Sequence, residues 1–113
     1  MGIQLYWHKR NFETQKAERW FKERRIPYQS VDLNKHRLGQ REVELFIRGS
    51  SARDILDLAD IRVKSHPVSY TNQTQAIIGY VLENPRLLRS PIIRSGNTVL
   101  LGFDEARLSE LKE

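Results

Sequence analysis

Cysteine is absent from this chain of 113 residues. That absence excludes disulfides, zinc ribbons, iron–sulfur clusters and every reaction that needs a thiol of the protein's own. Long apolar runs are also missing, because no stretch approaches the roughly 18 residues that a membrane-spanning helix requires. The first residues, MGIQL, lack the profile of a signal peptide. We therefore expect a soluble, cytoplasmic protein that folds as a single domain over residues 1–113.

Sequence motifs for several kinds of site are missing as well. The six glycines are scattered, and none of the glycine-rich motifs that bind nucleotide phosphates occurs. No serine nucleophile motif is present. The histidines, His8, His36 and His66, do not have the spacing of metal ligands. We predict no metal site and no resident cofactor.

Positive charge is concentrated in the first part of the chain. The net charge is +5, and residues 1–48 hold 11 basic and 6 acidic side chains. Such a face attracts phosphates or an acidic protein, although a solvated helix surface is the simpler interpretation. Trp20 lies on the apolar stripe of the same segment, which favours core packing over base stacking, so nucleic acid is not the partner we expect. Weak binding through the basic helix would show a steep salt dependence.

The hydrophobic pattern predicts strands and helices in a definite order. Strands are expected at residues 3–7 and 28–33, and a hairpin at residues 92–101 turns at residues 95–97. Helices are expected at residues 12–25, after Gly39, at residues 52–59, from a cap at Thr71 or Asn72 to Asn84, and after Asp104. Three carboxylates, on Asp54, Asp57 and Asp60, then fall on one helix, where we interpret them as a solvated face.

The element order is β-α-β, then helices, then β-β-α. Such an order builds a four-stranded mixed sheet with helices on its faces, because the connections require both parallel and antiparallel pairing. The fold class is α/β with a thioredoxin-like plan. A helical insertion, at about residues 39–70, separates the second strand from the third.

Four segments of the chain carry a family resemblance. In residues 6–17, YWHKRNFETQKA, a tyrosine stands five residues before Asn11, and residues 19–21 and 26–28 continue toward the second strand. Residues 87–93 read LLRSPII, and residues 101–105 read LGFDE. Together these segments resemble the arsenate reductase (ArsC) family, which includes the transcription regulator Spx. In that family a tyrosine precedes the reactive cysteine by five residues, an L-x-R-P-I segment follows later, and LGFDE resembles the ending of the Spx-like branch.

This chain departs from the family pattern at the reactive positions. Asn11 stands where the cysteine would be, and Thr14 occupies the second position of that motif. An amide does not ionise to a nucleophilic thiolate. The arginines that the resemblance implies for holding an oxyanion fall on Asp57, Ser90 and a place near Gly102 or Phe103. We therefore expect no arsenate reduction and a degenerate active site without catalytic residues.

A binding site at that place remains a separate question. The start of the first helix offers free backbone N–H groups, which favour anions. The predicted binding residues are His8, Lys9, Arg10, Asn11, Phe12, Arg89, Ser90 and Pro91. The alternative interpretation is that Asn11 and Thr14 only cap and pack the helix start. By resemblance to thioredoxin-like folds, the Ser90–Pro91 bond is expected to be cis, with Pro91 close to Asn11.

Two functions follow from the resemblance. The first is a non-enzymatic protein that works through protein–protein contacts and regulates transcription as Spx does, by docking on the C-terminal domain of the RNA polymerase α subunit. The second is an oxidoreductase-like protein that binds an anion or glutathione near Asn11 and Pro91. In that case the thiol would come from the bound small molecule. No motif in the sequence specifies the docking.

Overall fold

The computed structural model describes residues 2–48 and 50–111. Its strands and helices are β1 (Ile3–Trp7), α1 (Phe12–Glu23), β2 (Tyr28–Asp32), α2 (Gln40–Ile47), α3 (Ile61–Lys64), α4 (Thr74–Glu83), β3 (Ile92–Ser95), β4 (Thr98–Leu101) and α5 (Glu105–Leu108). Single turns of 3-10 helix lie at Ala52–Ile55, Pro67–Tyr70 and Pro85–Leu87. None of the helices in these described ranges is long and apolar enough to cross a membrane.

The four strands form one mixed sheet in the order β2-β1-β3-β4. Strand β1 pairs in parallel with β2 and antiparallel with β3, and β3 pairs antiparallel with β4. The chain therefore has the predicted β-α-β and β-β-α halves, with the helical insertion between β2 and β3. This is the predicted thioredoxin-like arrangement.

Helix α1 buries one stripe on the sheet, as its sequence predicts. The buried side chains include Ala17, Trp20 and Phe21, whose spacing places them on one helix face. The helix ends before the predicted Arg25, because Arg25 has a positive φ of 56° and the following Ile26–Pro27 pair does not continue a helix. This end sets the direction of β2, which runs alongside β1.

Two apolar clusters cover the two faces of the sheet. Ile3, Leu5, Ile93 and Leu100 pack with the buried face of α1. On the opposite face lies the larger cluster, in which Tyr6, Val31 and Ile92 meet α2, α4 and the insertion. Alternate residues of each strand thus serve different clusters, as the period of two requires.

The insertion differs from the predicted helix at residues 52–59. The structure has only the 3-10 turn Ala52–Ile55, after which Leu56 forms an antiparallel bridge with Leu88. The amide of Asp57 donates to the Leu87 carbonyl at 3.0 Å, and that of Arg89 donates to the Ile55 carbonyl at 2.9 Å. These bonds hold the backbone at Leu56 in an extended conformation, so the helix does not continue past Ile55. They also join the insertion to the segment before β3.

Helix α4 begins later than predicted. The residue that precedes it is Gln73, without a side-chain cap, and the Thr71 hydroxyl instead accepts the Gln73 amide at 3.1 Å in a turn. Upstream, α3 and the turn Pro67–Tyr70 were not predicted. A side-chain hydrogen bond caps the N-terminus of each. At α3 the Asp60 side chain accepts the Arg62 amide, and at the turn Pro67–Tyr70 His66 Nδ1 accepts the Val68 amide.

The C-terminal half follows the prediction closely. Strands β3 and β4 form a hairpin in which Ser95 pairs with Thr98, so the turn itself is Gly96-Asn97. Gly96 has a φ of 59°, as the first central residue of a tight hairpin turn needs. Asp104 caps α5 by accepting the Arg107 amide, and Leu108 is buried.

Candidate functional site

Asn11 lies between β1 and α1 and is bonded through both ends of its side-chain amide. Its Oδ1 accepts the Thr14 backbone amide at 2.9 Å and the Thr14 hydroxyl at 2.6 Å. Its Nδ2 donates to the Ser90 carbonyl at 2.8 Å. Asn11 is therefore the N-cap of α1 and, at the same time, a link from α1 to the segment before β3.

Thr14 and Ser90 are polar but buried beside that link. Thr14 is 0% exposed and Ser90 is 3% exposed, and their hydroxyl oxygens lie 3.0 Å apart. The Ser90 hydroxyl donates to the Lys9 carbonyl at 2.9 Å. The Ser90–Pro91 bond is cis, as predicted, and Pro91 is buried. Because buried polar groups need partners, this network stabilises the loop between β1 and α1, whose last residue is Asn11.

The Lys9 side chain forms ion pairs with the insertion. Its Nζ lies 3.0 Å from Asp57 Oδ2 and 3.5 Å from Asp60 Oδ2. The two carboxylates do not share a helix with Asp54, contrary to the prediction, because Asp57 follows the bridge at Leu56 and Asp60 caps α3. The positive charge of Lys9 is thus matched within the chain.

Asp60 is the most strongly perturbed carboxyl at this place. Hydrogen bonds from the Arg62 side chain and amide, together with the charges of Arg62 and Lys9, lower its pKa to about 2. Arg62 Nη2 lies 3.2 Å from Asp60 Oδ2. The carboxylate is therefore ionised at every physiological pH and does not serve as a general acid.

His8 and Arg10 also contact other parts of the chain. The His8 Nε2 lies 2.7 Å from the Leu88 carbonyl, to which it donates, and burial lowers the pKa of His8 below its usual value. The Arg10 guanidinium stacks on the Trp7 ring at 4.6 Å and lies 3.6 Å from Glu18 Oε2. Phe12 is 68% exposed.

The predicted binding residues therefore separate into groups. Asn11, Arg89 and Ser90 line one open depression of about 340 Å³. His8 and Lys9 line another, of about 480 Å³, on the other side of the Lys9 ion pairs. Neither depression is lined by Arg10, Phe12 or Pro91.

The depression at Asn11 carries both signs of charge, which sequence reasoning did not foresee. The charged residues that share it with Asn11 are Glu13, Arg53, Asp54, Asp57 and Arg89. The Arg53 Nη1 donates to the carbonyls of Ser69 and Thr71, each at 2.9 Å. Arg89 and Asp57 were singled out by the family pattern, whereas no sequence signal marks Glu13 or Arg53 as part of a site, since an acid in a first helical turn and an arginine in a short turn are ordinary surface features.

Arg89 is the second cation of this depression, beside Arg53. Its guanidinium makes no ion pair within residues 2–48 and 50–111. It passes close to Gly102, where a Cβ would meet its Nη2 at 2.9 Å and Glu13 Oε1 at 3.1 Å. Gly102 has a φ of +83°, which side-chain-bearing residues rarely adopt. The arrangement can therefore hold an anion at Arg89, and it offers no nucleophile at Asn11.

Comparison with known proteins gives one family and several similar folds. The model of the ArsC family matches residues 6–111. No curated protein matches the chain. An ArsC family related protein from Bacteroides fragilis superposes with a TM-score of 0.85 at 19% identity, covering 99% of this chain and 98% of that one.

Two further solved structures have the same fold. An arsenate reductase related protein from Brucella melitensis has a TM-score of 0.74 at 20% identity, covering 96% of this chain and 92% of that one. For the arsenate reductase from Vibrio cholerae the TM-score is 0.76 at 13% identity, with 88% and 87% covered.

Proposed function

This chain belongs to the ArsC family, and because it has no cysteine we propose that it works in the cytoplasm through contacts with a protein partner. The observation that carries the proposal is the bonding of Asn11, whose Oδ1 and Nδ2 are both engaged inside the chain. An amide in these bonds neither ionises nor attacks an electrophile. The residue at the reactive position thus holds the fold together.

The proposed partner is the C-terminal domain of the RNA polymerase α subunit, and the role is regulatory. Support comes from the resemblance of residues 101–105 to the Spx-like ending. This ending lies against the start of α1, because Glu13 Oε1 accepts the Phe103 amide at 3.1 Å. Phe12, exposed next to it, offers the kind of aromatic side chain that dominates protein interfaces.

Purified α subunit tests this proposal directly. We expect the immobilised α subunit to retain the chain, and the Phe12→Ser variant to bind at least about tenfold more weakly. Tyr70→Ser is the matched control, since Tyr70 is also exposed but lies in the insertion. Absence of binding by the unaltered chain rejects the α subunit as the partner. Equal losses in both variants reject Phe12 as the contact.

A second function is supported by Arg89. Its guanidinium, which forms no ion pair in the described part of the chain, shares the depression with Asn11, so we also consider an oxidoreductase-like protein that binds an oxyanion or glutathione there. Arginine suits such ligands because its planar fork donates two parallel hydrogen bonds. Three carboxylates line the same depression, on Glu13, Asp54 and Asp57, and their repulsion of an anion places this function second.

Calorimetric titration with arsenate and with glutathione distinguishes the two functions. The first proposal expects no saturable heat with either ligand and no arsenate turnover in an assay coupled to glutaredoxin or thioredoxin. Saturable binding that disappears in Arg89→Gln establishes the second function. Turnover above a heat-killed control, surviving repurification, contradicts the non-enzymatic proposal.

A further inference from the structure

Strand β4 is an edge strand with an open outer side. It is last in the order β2-β1-β3-β4, and its register pairs Ser95 with Thr98 and Ile93 with Leu100. The Gly102 amide donates to the Pro91 carbonyl at 2.9 Å, which continues the same alternation. Pairs that exchange both hydrogen bonds alternate with pairs that exchange none. The backbone N–H and C=O groups of Val99 and Leu101 therefore point away from β3.

A groove of about 540 Å³ runs along this edge. Its accessible apolar surface comes from the half-buried Val99 and Leu101 of β4 itself, and Phe46 at the end of α2 also lines it but is only 1% exposed. The backbone groups of Val99 and Leu101 make no hydrogen bond to another element among the described residues. Such an edge is a template for one more strand.

Three arginines border the groove and make it cationic. Arg48, Arg89 and Arg107 all line it, and in the described part of the chain their side chains have neither an ion pair nor a hydrogen bond. Arg89 reaches the Gly102 end of β4, while Arg48 lies near Asn97 at the other end. The single acidic residue in the lining is Asp54, whose Oδ2 already accepts the Ser51 amide at 3.0 Å.

We propose that this edge binds an extended acidic segment of a partner protein, which adds a fifth strand beside β4. The backbone of the segment would bond Val99 and Leu101, alternate side chains would pack in the groove against the Val99 and Leu101 side chains, and its carboxylates would pair with Arg48, Arg89 and Arg107. This mode combines backbone hydrogen bonds for affinity with side-chain pockets for specificity. A second copy of this chain fits less well, because pairing two β4 edges brings like charges together.

The site shares Leu101 with the Spx-like ending at residues 101–105, but it does not include Phe12, the proposed contact with the α subunit. The experiment uses no α subunit, so either proposal can fail without the other. Its probe is a short fluorescein-labelled peptide in which Glu and Val alternate, followed by fluorescence anisotropy. We expect saturable one-to-one binding to the full chain, weakened at least about tenfold in Arg48→Gln and in Arg107→Gln, since each removes charged hydrogen bonds. Arg19→Gln is the matched control, because Arg19 is exposed on α1, away from β4.

The backbone part of the proposal has its own tests. A peptide methylated at alternate amide nitrogens keeps its charge but loses one set of edge bonds, and we expect it to bind at least about tenfold more weakly. In the unaltered chain, the peptide is expected to slow hydrogen exchange at the Val99 and Leu101 amides. Val99→Pro removes an outward N–H without touching a bond to β3, and it should also weaken binding.

Four results would overturn the proposal. They are no saturable binding of the alternating peptide, equal binding of the methylated peptide, equal losses in Arg19→Gln and Arg107→Gln, and unchanged exchange at Val99 and Leu101 in the bound state. Because the exchange and methylation experiments use the unaltered chain, the test stands even if Val99→Pro does not fold.

Discussion

The side-chain amide of Asn11 donates to the backbone carbonyl of Ser90 at 2.8 Å, across 79 positions of the chain. This bond joins the start of α1 to the segment before β3, and the Thr14 and Ser90 hydroxyls lie beside it. A cap normally serves its own helix alone. Asn11 serves a long-range contact as well, which gives it a larger structural role than its place in the sequence indicates.

Removing the Asn11 side chain should therefore cost more than removing an ordinary polar side chain nearby. We expect Asn11→Ala to lower the free energy of unfolding by about 2 kcal/mol, from the lost cap and the unpaired Ser90 carbonyl. Gln15→Ala is the control, because the exposed Gln15 Nε2 bonds only the Arg10 carbonyl among the described residues, and it should cost below about 0.5 kcal/mol. Urea unfolding measures both. Similar costs for the two variants would mean that the bond to Ser90 contributes nothing.

Restoring a cysteine at Asn11 should produce a reactive thiol without an enzyme. In Asn11→Cys the thiol would stand at the N-terminus of α1, a position that lowers thiol pKa. We expect iodoacetamide labelling with a midpoint below the free-cysteine value of about 8.5, and still no arsenate reduction. A midpoint at or above that value would show that the residue does not occupy the place of the family's reactive cysteine.

Acid should weaken the contribution of Asp60 to the stability of the fold in a defined pH range. Its pKa is lowered to about 2 in the folded chain, first of all by the Arg62 hydrogen bond, against about 3.9 when unfolded. A depressed pKa stabilises the fold above the unfolded value, and the stabilisation is lost as pH falls toward the folded value. We thus expect Asp60→Asn to be less stable than the unaltered chain at pH 6.

The difference between the two proteins should shrink between about pH 4 and pH 2. Thermal unfolding across that range measures it, with Glu23→Gln at the end of α1 as the control for general loss of negative charge. A difference that stays constant down to pH 2 would contradict the depressed pKa of Asp60.

Two glycines should respond in opposite ways to alanine. Gly102→Ala places a Cβ at a φ of +83° and against Arg89 and Glu13, so we expect a loss of about 1–2 kcal/mol. Gly79 lies within α4, where an added Cβ would have no contact within 4 Å, and Gly79→Ala should stabilise by about 0.5–1 kcal/mol. Chemical denaturation of both variants measures the change in their free energies of unfolding. A stable Gly102→Ala would show that Arg89 and the backbone shift freely there.

The sequence predicted those parts of the fold that depend on local patterns. The stripe on α1, the hairpin around Gly96 and the Asp104 cap each follow from neighbouring residues, and the structure has all three. The helix predicted at residues 52–59 failed for a different reason. Its backbone bonds Leu87 and Arg89 far along the chain, on either side of the bridge between Leu56 and Leu88, and no local pattern reports such a partner.

The same distinction applies to the candidate site. The positions of Asn11, Thr14 and Ser90 could be found from their place in the family pattern, and the structure brings them together. The pairing of Lys9 with Asp57 could not be foreseen, because 48 positions separate the two residues. Sequence reasoning therefore counted Lys9 as available to a ligand, while the fold uses its charge internally.

The bridge between Leu56 and Leu88 has a consequence for ligand selection at the Asn11 depression. One wall of that depression comes from the insertion, at Leu56 and Asp57, and the other from Arg89 and Ser90. Backbone hydrogen bonds on either side of the bridge hold these walls together. The opening is preorganised, so any molecule that binds there has to match a preset width, and it gains affinity without an ordering cost for the walls.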